Sequence, residues 1–389
     1  MDIAFCYESV LPQRGGCETY IASLAHRLVA DGHTVHLYAS RWDASALPDS
    51  VVYHSVQARS WPRFLRPWSF GGAVLKALEG HKHDATIGFD KTWGLDILYP
   101  QGGLYAASAD HNILKEAPGP RRAFMRMVKR FDPAHQSFMA LERRQYLGDK
   151  NALVIAISEM VRGHFRKYYD IQPENLRVVR IATNPDRFVE NDRPLRRDRV
   201  RTEHGIRPDE IVGLFCGMNY RLKGLPCLLA AMRHLPAGNR FRLLAVGADN
   251  YKAMEKLARH YGVRDRVVFA GYRKDMRDGY FAADMFIHPT FYDPCSHVVP
   301  EAMSCGLPVI TTRHNGAAEL MSPPREGVVI DDPHNHRALA RAIEKFFDPR
   351  ERQRCGQAGR QAASRWTFDQ HYRQMLDVFS EAARRRHAA

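Results

Sequence analysis

Short apolar runs alternate with helical stretches twice along this chain, and that double alternation restricts the fold more than any other feature. The first series opens with the apolar strand MDIAFCY, the loop LPQRGG and the stretch CETYIASLAHRLVADGH. In that stretch Ile21, Leu24, Ala25, Leu28 and Val29 recur at helical spacing, and Gly32 supplies a stop. TVHLYAS is the next strand. DATIGFD and ALVIAIS read as later strands of the same sheet, the second leading into the helix EMVRGHFRKYY. A β–loop–α–β opening predicts a parallel, doubly wound sheet.

The second series starts after residues 185–210, a charged stretch with three prolines and no period, read as a linker with a short helix. Strands are predicted at IVGLFCG, FRLLAVGA, VVFAGY, MFIHPT, LPVITT and GVVID. The helices between and after them fall at LPCLLAAMRHL, YKAMEKLARHYG, MRDGYFAA, the stretch after Asp293, a short piece from Gly316, and HRALARAIEKFF. A chain of 389 residues with 45% hydrophobic content has room for two such domains, each with its own core. The expected fold class is α/β, two Rossmann-like β/α/β domains facing across a cleft. Ligands of such sheets sit beyond the carboxyl ends of the strands, so the loops there should carry the chemistry.

Three of those loops hold candidate residues. Gly15 and Gly16 lie between the first strand and helix, with Glu18 in the first helical turn. Close backbone approach to a phosphate fits them, and so does a tight turn. There is no G-x-G-x-x-G fingerprint, which argues against a nicotinamide or flavin cofactor. In CGMNYRLKGLPCLL, Arg221 and Lys223 stand between a strand and a helix, with Gly224 permitting a close turn. Two cations there suit a diphosphate leaving group. Taken alone they fit solvated loop side chains equally well.

The sharpest signal is FYDPCSHVVPEAMSCGLPVITT, where Asp293 and Glu301 stand eight positions apart around a predicted helix start. Ser296 is the expected N-cap, with His297 and Val298 in the first turn. The exposed N–H groups of such a turn suit a phosphate. Asp293 then suits sugar hydroxyls, and Glu301 the two hydroxyls of a ribose.

The D-x7-E segment with AMSCGLPVITT after it, the RLKG loop and the N-terminal GGCE resemble the retaining nucleotide-sugar glycosyltransferases of family GT4, which have the GT-B fold. The resemblance spans nearly the whole chain and is most specific over residues 213–330. The family's usual motif is E-x7-E; here Asp293 stands at its first acid, Pro300 precedes the second, and Met218 stands where an arginine often follows the first strand's glycine. GFDKTWGLDILY and FMALERRQY are similar to the lipopolysaccharide-core glucosyltransferases that act on inner-core heptose.

The resemblance implies an acceptor-binding domain over 1–185, a nucleotide-sugar domain over 186–365 and a final helix over 366–389 that packs back on the first. It implies that Gly15 and Gly16 face the diphosphate and sugar, and that Arg221 and Lys223 stabilise the leaving group. Asp293 and the backbone from Cys295 through Ser296 and His297 to Val298 would hold sugar and phosphate. Glu301 would hold the ribose, and the backbone near Tyr272 and Arg273 the base. A first-domain sugar contact falls to His111 or Asp110, with Gly102 at the aligned place. The expected co-substrate is a UDP-sugar, UDP-glucose by preference. No D-x-D occurs, so no catalytic metal and no further cofactor is expected.

The formal net charge of +14 calls for an anionic partner. No nucleic-acid module is present, so a glycan or glycolipid acceptor at an anionic membrane surface is expected. The basic stretch 112–145, where Arg121, Arg122, Arg126, Lys129 and Arg130 interleave with Phe124, Met125, Met127, Val128 and Phe131, fits such a surface; so does RSWPRFLRPWSF over 59–70. An ordinary amphipathic helix packed on the domain fits the first stretch equally. No apolar run is long enough to span a membrane and MDIAFCYESV is not a secretory signal, so the expected place is the cytoplasmic face of an inner membrane. The seven cysteines show no C-x-x-C pair and read as free thiols, not as a zinc site or a disulfide framework. A GT4 mannosyl- or hexosaminyltransferase of polysaccharide synthesis, a GT-B UDP-sugar epimerase, and a basic nucleic-acid binder are the rival readings.

Overall fold

The computed structural model describes residues 1–12, 15–59, 61–62, 64–148, 151–182, 188 and 192–388. They form two compact units: residues 1–110, 119–180 and 369–389 in the first, residues 111–118 and 181–368 in the second.

Among the described residues the first unit has nine strands: β1 (Asp2–Cys6), β2 (Ser9–Val10), β3 (Thr34–Ala39), β4 (Arg41–Trp42), β5 (Val52–Ser55), β6 (Ala85–Gly88), β7 (Ile97–Leu98), β8 (Leu153–Ala156) and β9 (Leu176–Val178). Seven of them make one sheet in the order β5-β3-β1-β6-β7-β8-β9, while β2 and β4 pair separately. Every pairing is parallel; Phe5 of β1 lies beside Leu37 on one side and Ile87 on the other. Ile3 to Cys6 are buried without alternation, as expected of a parallel strand covered on both faces. The first helix, Gly16–Ala30, buries Ile21, Ala22, Leu24, Ala25 and Leu28. Val29, expected on that face, is half-buried. Gly32 follows with φ of 80°, a left-handed stop that suits glycine.

The C-terminal helix Phe368–Ala388 belongs to this first unit. Phe379 stacks on Phe5 at 6.5 Å, His371 bonds Tyr20 at 2.6 Å, and Glu381 pairs with Arg177 at 2.6 Å.

The second unit carries β10 (Ile211–Gly217), β11 (Phe241–Gly247), β12 (Val267–Gly271), β13 (Met285–His288), β14 (Val309–Thr312) and β15 (Gly327–Ile330), all parallel in the order β12-β11-β10-β13-β14-β15. Phe215, Leu225, Leu228, Phe241, Leu243 and Ile343 are among the residues that fill its core. The chain leaves β10 to one side for β11 and β12, then crosses back to β13 on the other. The carboxyl ends of β10 and β13 therefore form the switch point where such sheets bind ligands.

The stretch 185–210, expected as a linker with a short helix, holds that helix as Arg193–Glu203, and its arginines pack it on the second unit. Arg197 and Arg201 bond the two oxygens of Asp284 at 2.9 and 2.8 Å, and Arg196 reaches Asp278 at 2.8 Å. The proposed boundary at 185/186 lies outside the described residues. Residues 111–118, read as part of the first domain, join the second unit instead.

Candidate active site

At the switch point of the second unit, backbone packing brings the predicted loops together before any side chain is considered. Gly224 has φ of 82°, and a Cβ there would sit 1.9 Å from the carbonyl oxygen of Pro289. Only glycine lets the loop after β10 close against the loop after β13. Gly247 at the end of β11 is similar: a Cβ would lie 2.1 Å from the Gly217 carbonyl.

This closure puts Lys223 Nζ 2.6 Å from Asp293 Oδ2. His288, buried at the end of β13, approaches the same oxygen with Nε2 at 3.3 Å. Burial pushes the Asp293 carboxyl up, but the Lys223 ammonium and His288 outweigh it and hold it at about 2. Among the described residues none bonds Oδ1. The carboxylate is thus ionised and oriented, with one oxygen committed to the protein. Burial lowers the His288 pKa, against the pull of Asp293.

Arg221 is exposed, and its guanidinium meets Glu116 Oε1 at 2.6 Å. Both predicted cations therefore carry an acidic partner. Each partner lies far off in sequence, 105 positions for Glu116 and 70 for Asp293, which is why the spacing of charges did not reveal them. The Glu116 segment is anchored again through His111, whose ring lies 5.0 Å from Tyr292 and 5.3 Å from His314. His111 thus faces the Asp293 loop within the second unit, not a first-domain site. His314 is pushed down to about 4, by burial first and then by His111 and Arg313, and stays neutral near pH 7.

The helix start differs from the expected one. The helix is Val298–Ser304, His297 stands at the N-cap position without a capping side-chain bond, and Ser296 is not the cap. Asn315 Nδ2 donates instead to Ser296 Oγ at 2.9 Å, and Ser296 N–H donates to Asn315 Oδ1 at 3.3 Å. Asp293 and Asn315 form a parallel bridge, with Gly316 N–H donating to the Asp293 carbonyl at 2.9 Å. Asn315 therefore fixes the Asp293–Ser296 turn from the loop after β14. Cys295 and Ser296 are buried, while His297 and Val298 are half-buried. Burial lowers the His297 pKa, against Asp293.

Glu301 is half-buried, and Tyr280 donates its hydroxyl to Glu301 Oε2 at 2.7 Å. Tyr280 is fully buried, so it positions the carboxylate rather than facing solvent. Tyr272 presents an exposed ring, but its N–H already bonds Asp249 Oδ1 at 3.0 Å. The Arg273 side chain turns to Glu203 at 2.6 Å and His204 at 2.7 Å.

In the first unit, Gly15 is extended and precedes the helix. A Cβ there would meet Glu18 Oε2 at 2.7 Å, so the Glu18 carboxylate folds over the helix start beside Gly15 and Gly16. Asp110, exposed, accepts from the Tyr168 hydroxyl at 2.6 Å. A carboxylate the motifs did not flag lies at the end of β6. Asp90 and Lys91 both take positive φ, 59° and 47°, rare for two consecutive residues with side chains. The Asp90 carboxyl is raised, by burial first, against Lys91 and a Gly102 backbone N–H. Its oxygens fill the space beside Gly102, where a Cβ would lie 3.7 Å from Oδ2.

The family described as Glycosyl transferases group 1 matches residues 196–362, and Glycosyltransferase Family 4 matches residues 14–187. A D-inositol 3-phosphate glycosyltransferase of Xylanimonas cellulosilytica is 30% identical over 400 aligned residues, covering 96% of this chain and 93% of that protein. The lipopolysaccharide glucosyltransferase WaaG of Escherichia coli K12 is 27% identical over 348 residues, 89% of each chain. A crystal structure of WaaG, a glycosyltransferase involved in lipopolysaccharide biosynthesis, superposes with a TM-score of 0.81 at 25% identity, over 97% of this chain and 99% of that one. Anabaena HepE in complex with UDP-glucose shares the fold, with a TM-score of 0.71 at 17% identity over 97% and 99% of the two chains. Two parallel α/β units, a phosphate-suited switch point and these likenesses converge: the chain belongs to the group 1, family 4 glycosyltransferases of GT-B fold, and it is a glycosyltransferase.

Proposed function

We propose that the protein moves a hexose, glucose by preference, from a UDP-sugar to a lipopolysaccharide-core or other lipid-linked glycan, with retention at the anomeric carbon. The observation that carries this reading is the Lys223–Asp293 pair at the β10/β13 switch point, with Glu301 held by Tyr280 on the helix that follows. In it the donor's C1–O bond breaks, the acceptor oxygen bonds C1, and the acceptor proton goes to the departing phosphate. Lys223 and Arg221 stabilise the diphosphate charge, exchanging part of their contacts to Asp293 and Glu116 for phosphate oxygens. Asp293 Oδ1 accepts from sugar hydroxyls, and Glu301 accepts from the ribose. In the first unit Asp90, rather than Asp110 or His111, is the carboxylate we assign to a hydroxyl of the reacting sugars.

The membrane part of the proposal rests on the helix Pro120–Arg130, which buries none of its residues. Phe124, Met125, Met127, Val128 and Phe131 are all exposed among its arginines. That argues against the ordinary packed amphipathic helix. Trp61, in the second basic stretch, is 82% exposed, while Ser60 and Arg63 lie outside the described residues. We propose that the helix Pro120–Arg130 lies at the cytoplasmic face of an inner membrane; among the described residues no helix is long and apolar enough to cross a membrane.

The test is nucleotide release from UDP-, GDP- and ADP-sugars, with and without a lipid-A-core extract or a soluble phosphorylated polyol. Release from UDP-glucose, stimulated by the extract, is expected. Glu301→Gln should raise the donor KM by about 10- to 100-fold, as expected for a lost charge-assisted bond. Tyr280→Phe should raise it less. Asp90→Asn should lower kcat with little change in donor KM. Stimulation by the polyol alone would overturn the lipid-linked acceptor, and release from GDP- or ADP-sugars alone would overturn the donor.

A further inference from the structure

Away from the Lys223–Asp293 pair but on the same unit, Cys227, His334 and His336 bring their ligand atoms to within 4.8 Å of one another. Cys227 lies in the helix Leu225–Ala231, four residues past Lys223, and is buried. His334 and His336 lead into the helix His336–Lys345 and are half-buried. His334 and His336 stand two positions apart, but Cys227 lies 107 positions before His334, and that separation hid the group from the sequence reading.

The hydrogen bonds decide which atoms are available. His334 Nε2 lies 2.8 Å from the carbonyl oxygen of Leu114. A carbonyl only accepts, so Nε2 carries the proton and Nδ1 is a bare lone pair. That lone pair faces Cys227 Sγ at 3.8 Å. An imidazole whose far N–H is fixed by a backbone carbonyl is the usual arrangement of a metal-ligating histidine. Without metal, the Cys227 thiol shares its proton with Nδ1.

We propose that Cys227, His334 and His336 form a zinc site, with water at the fourth position. One thiolate and two imidazoles match the ligand preferences of Zn²⁺. Tetrahedral zinc places such ligand atoms about 3.5 Å apart, so shifts of roughly an ångström close the present arrangement. Binding replaces the shared thiol proton, which leaves to solvent. The ion would tie the helix that follows Lys223 to His334. His334 in turn holds Leu114, two residues before the Glu116 that pairs with Arg221.

The full chain, stripped with a chelator, is titrated with Co²⁺ and then Zn²⁺ while its absorption is followed. One equivalent of Co²⁺ should give the near-ultraviolet sulfur-to-cobalt band with tetrahedral d–d bands, and Zn²⁺ should bleach both. Cys227→Ser should abolish the sulfur band, and His336→Gln should weaken Zn²⁺ binding by at least about tenfold. Asp2→Asn should leave the band intact, since the Asp2, His36 and His83 group in the first unit offers no sulfur. No sulfur band in the wild type, or one that survives Cys227→Ser, overturns the site. Should Cys227→Ser not fold, unchanged cobalt spectra and zinc affinity in His336→Gln overturn it equally.

Discussion

Asp293 shows how one side chain is set by competing terms. Burial alone would favour its neutral form, yet Lys223 and His288 hold it ionised, at about 2 instead of 3.8. A carboxyl lowered on folding stabilises the native state above its ordinary pKa, and that stabilisation is lost as pH falls through the folded value. Lys223→Met leaves the carboxylate buried with His288 as its partner. It should cost about 3 kcal/mol at pH 7, measured by urea unfolding. The difference from wild type should narrow as pH drops from about 4 toward 2, where Asp293 protonates. A cost that stays constant over that range would show that Lys223 acts by packing alone. If Lys223 stabilises the departing diphosphate as proposed, the same substitution should lower kcat/KM by at least about 100-fold.

Elements carry two further predictions. The turn into the helix Leu225–Ala231 depends on Gly224, with φ of 82° and the Pro289 carbonyl against its α-carbon. Gly224→Ala adds both left-handed strain and a clash. It should cost about 2–3 kcal/mol in urea unfolding and nearly all activity, since Lys223 is the next residue back. Gly238→Ala is the control: its φ of 73° brings the strain, but nothing lies within 4 Å of the added Cβ. It should cost about 1 kcal/mol and spare activity. The helix Pro120–Arg130 is the second case. Arg126→Gln with Arg130→Gln should weaken binding to anionic vesicles by about 2 kcal/mol, roughly 30-fold, at about 1 kcal/mol per arginine. Binding of the wild type should fall with salt. Binding indifferent to salt and to the arginines would leave only the apolar face as the anchor.

For the molecule as a whole, the last helix is expected to matter more to the first unit than its place in the sequence implies. Tyr372, Met375, Val378 and Phe379 are buried there, each worth about 2 kcal/mol on burial, which together rivals the net stability of a domain. Ending the chain before Phe368 should leave the first unit open to proteolysis while the second keeps its protection, read from the fragment pattern. Equal resistance of both units would show that the sheet β5-β3-β1-β6-β7-β8-β9 is stable without that helix.

The two β/α series, the six strands of the second sheet, four of the seven in the first and the paired acids were legible in the sequence, because apolar period and turn residues are local properties of the chain; the short strands β5, β7 and β9 were not read. For the helix Arg193–Glu203 the sequence showed that a short helix forms but not what it packs against, for the opposite reason. Its burial comes from Arg197 and Arg201 meeting Asp284, more than 80 positions away, and a charged, aperiodic stretch looks solvated until its partner is known. The segment 111–118 was assigned to the wrong unit because chain order said nothing of the contacts His111 makes with Tyr292 and His314. The sequence alone determined which residue types the donor loops carry: two cations, two acids and a turn into a helix. Only the tertiary structure decided their states. It paired Lys223 with Asp293 and Arg221 with Glu116, put His297 at the N-cap position with Ser296 bonded to Asn315, and set Tyr280 behind Glu301. The physical reason is that charge state and orientation depend on burial and on neighbours brought in from distant strands, and these exist only once the sheet has closed.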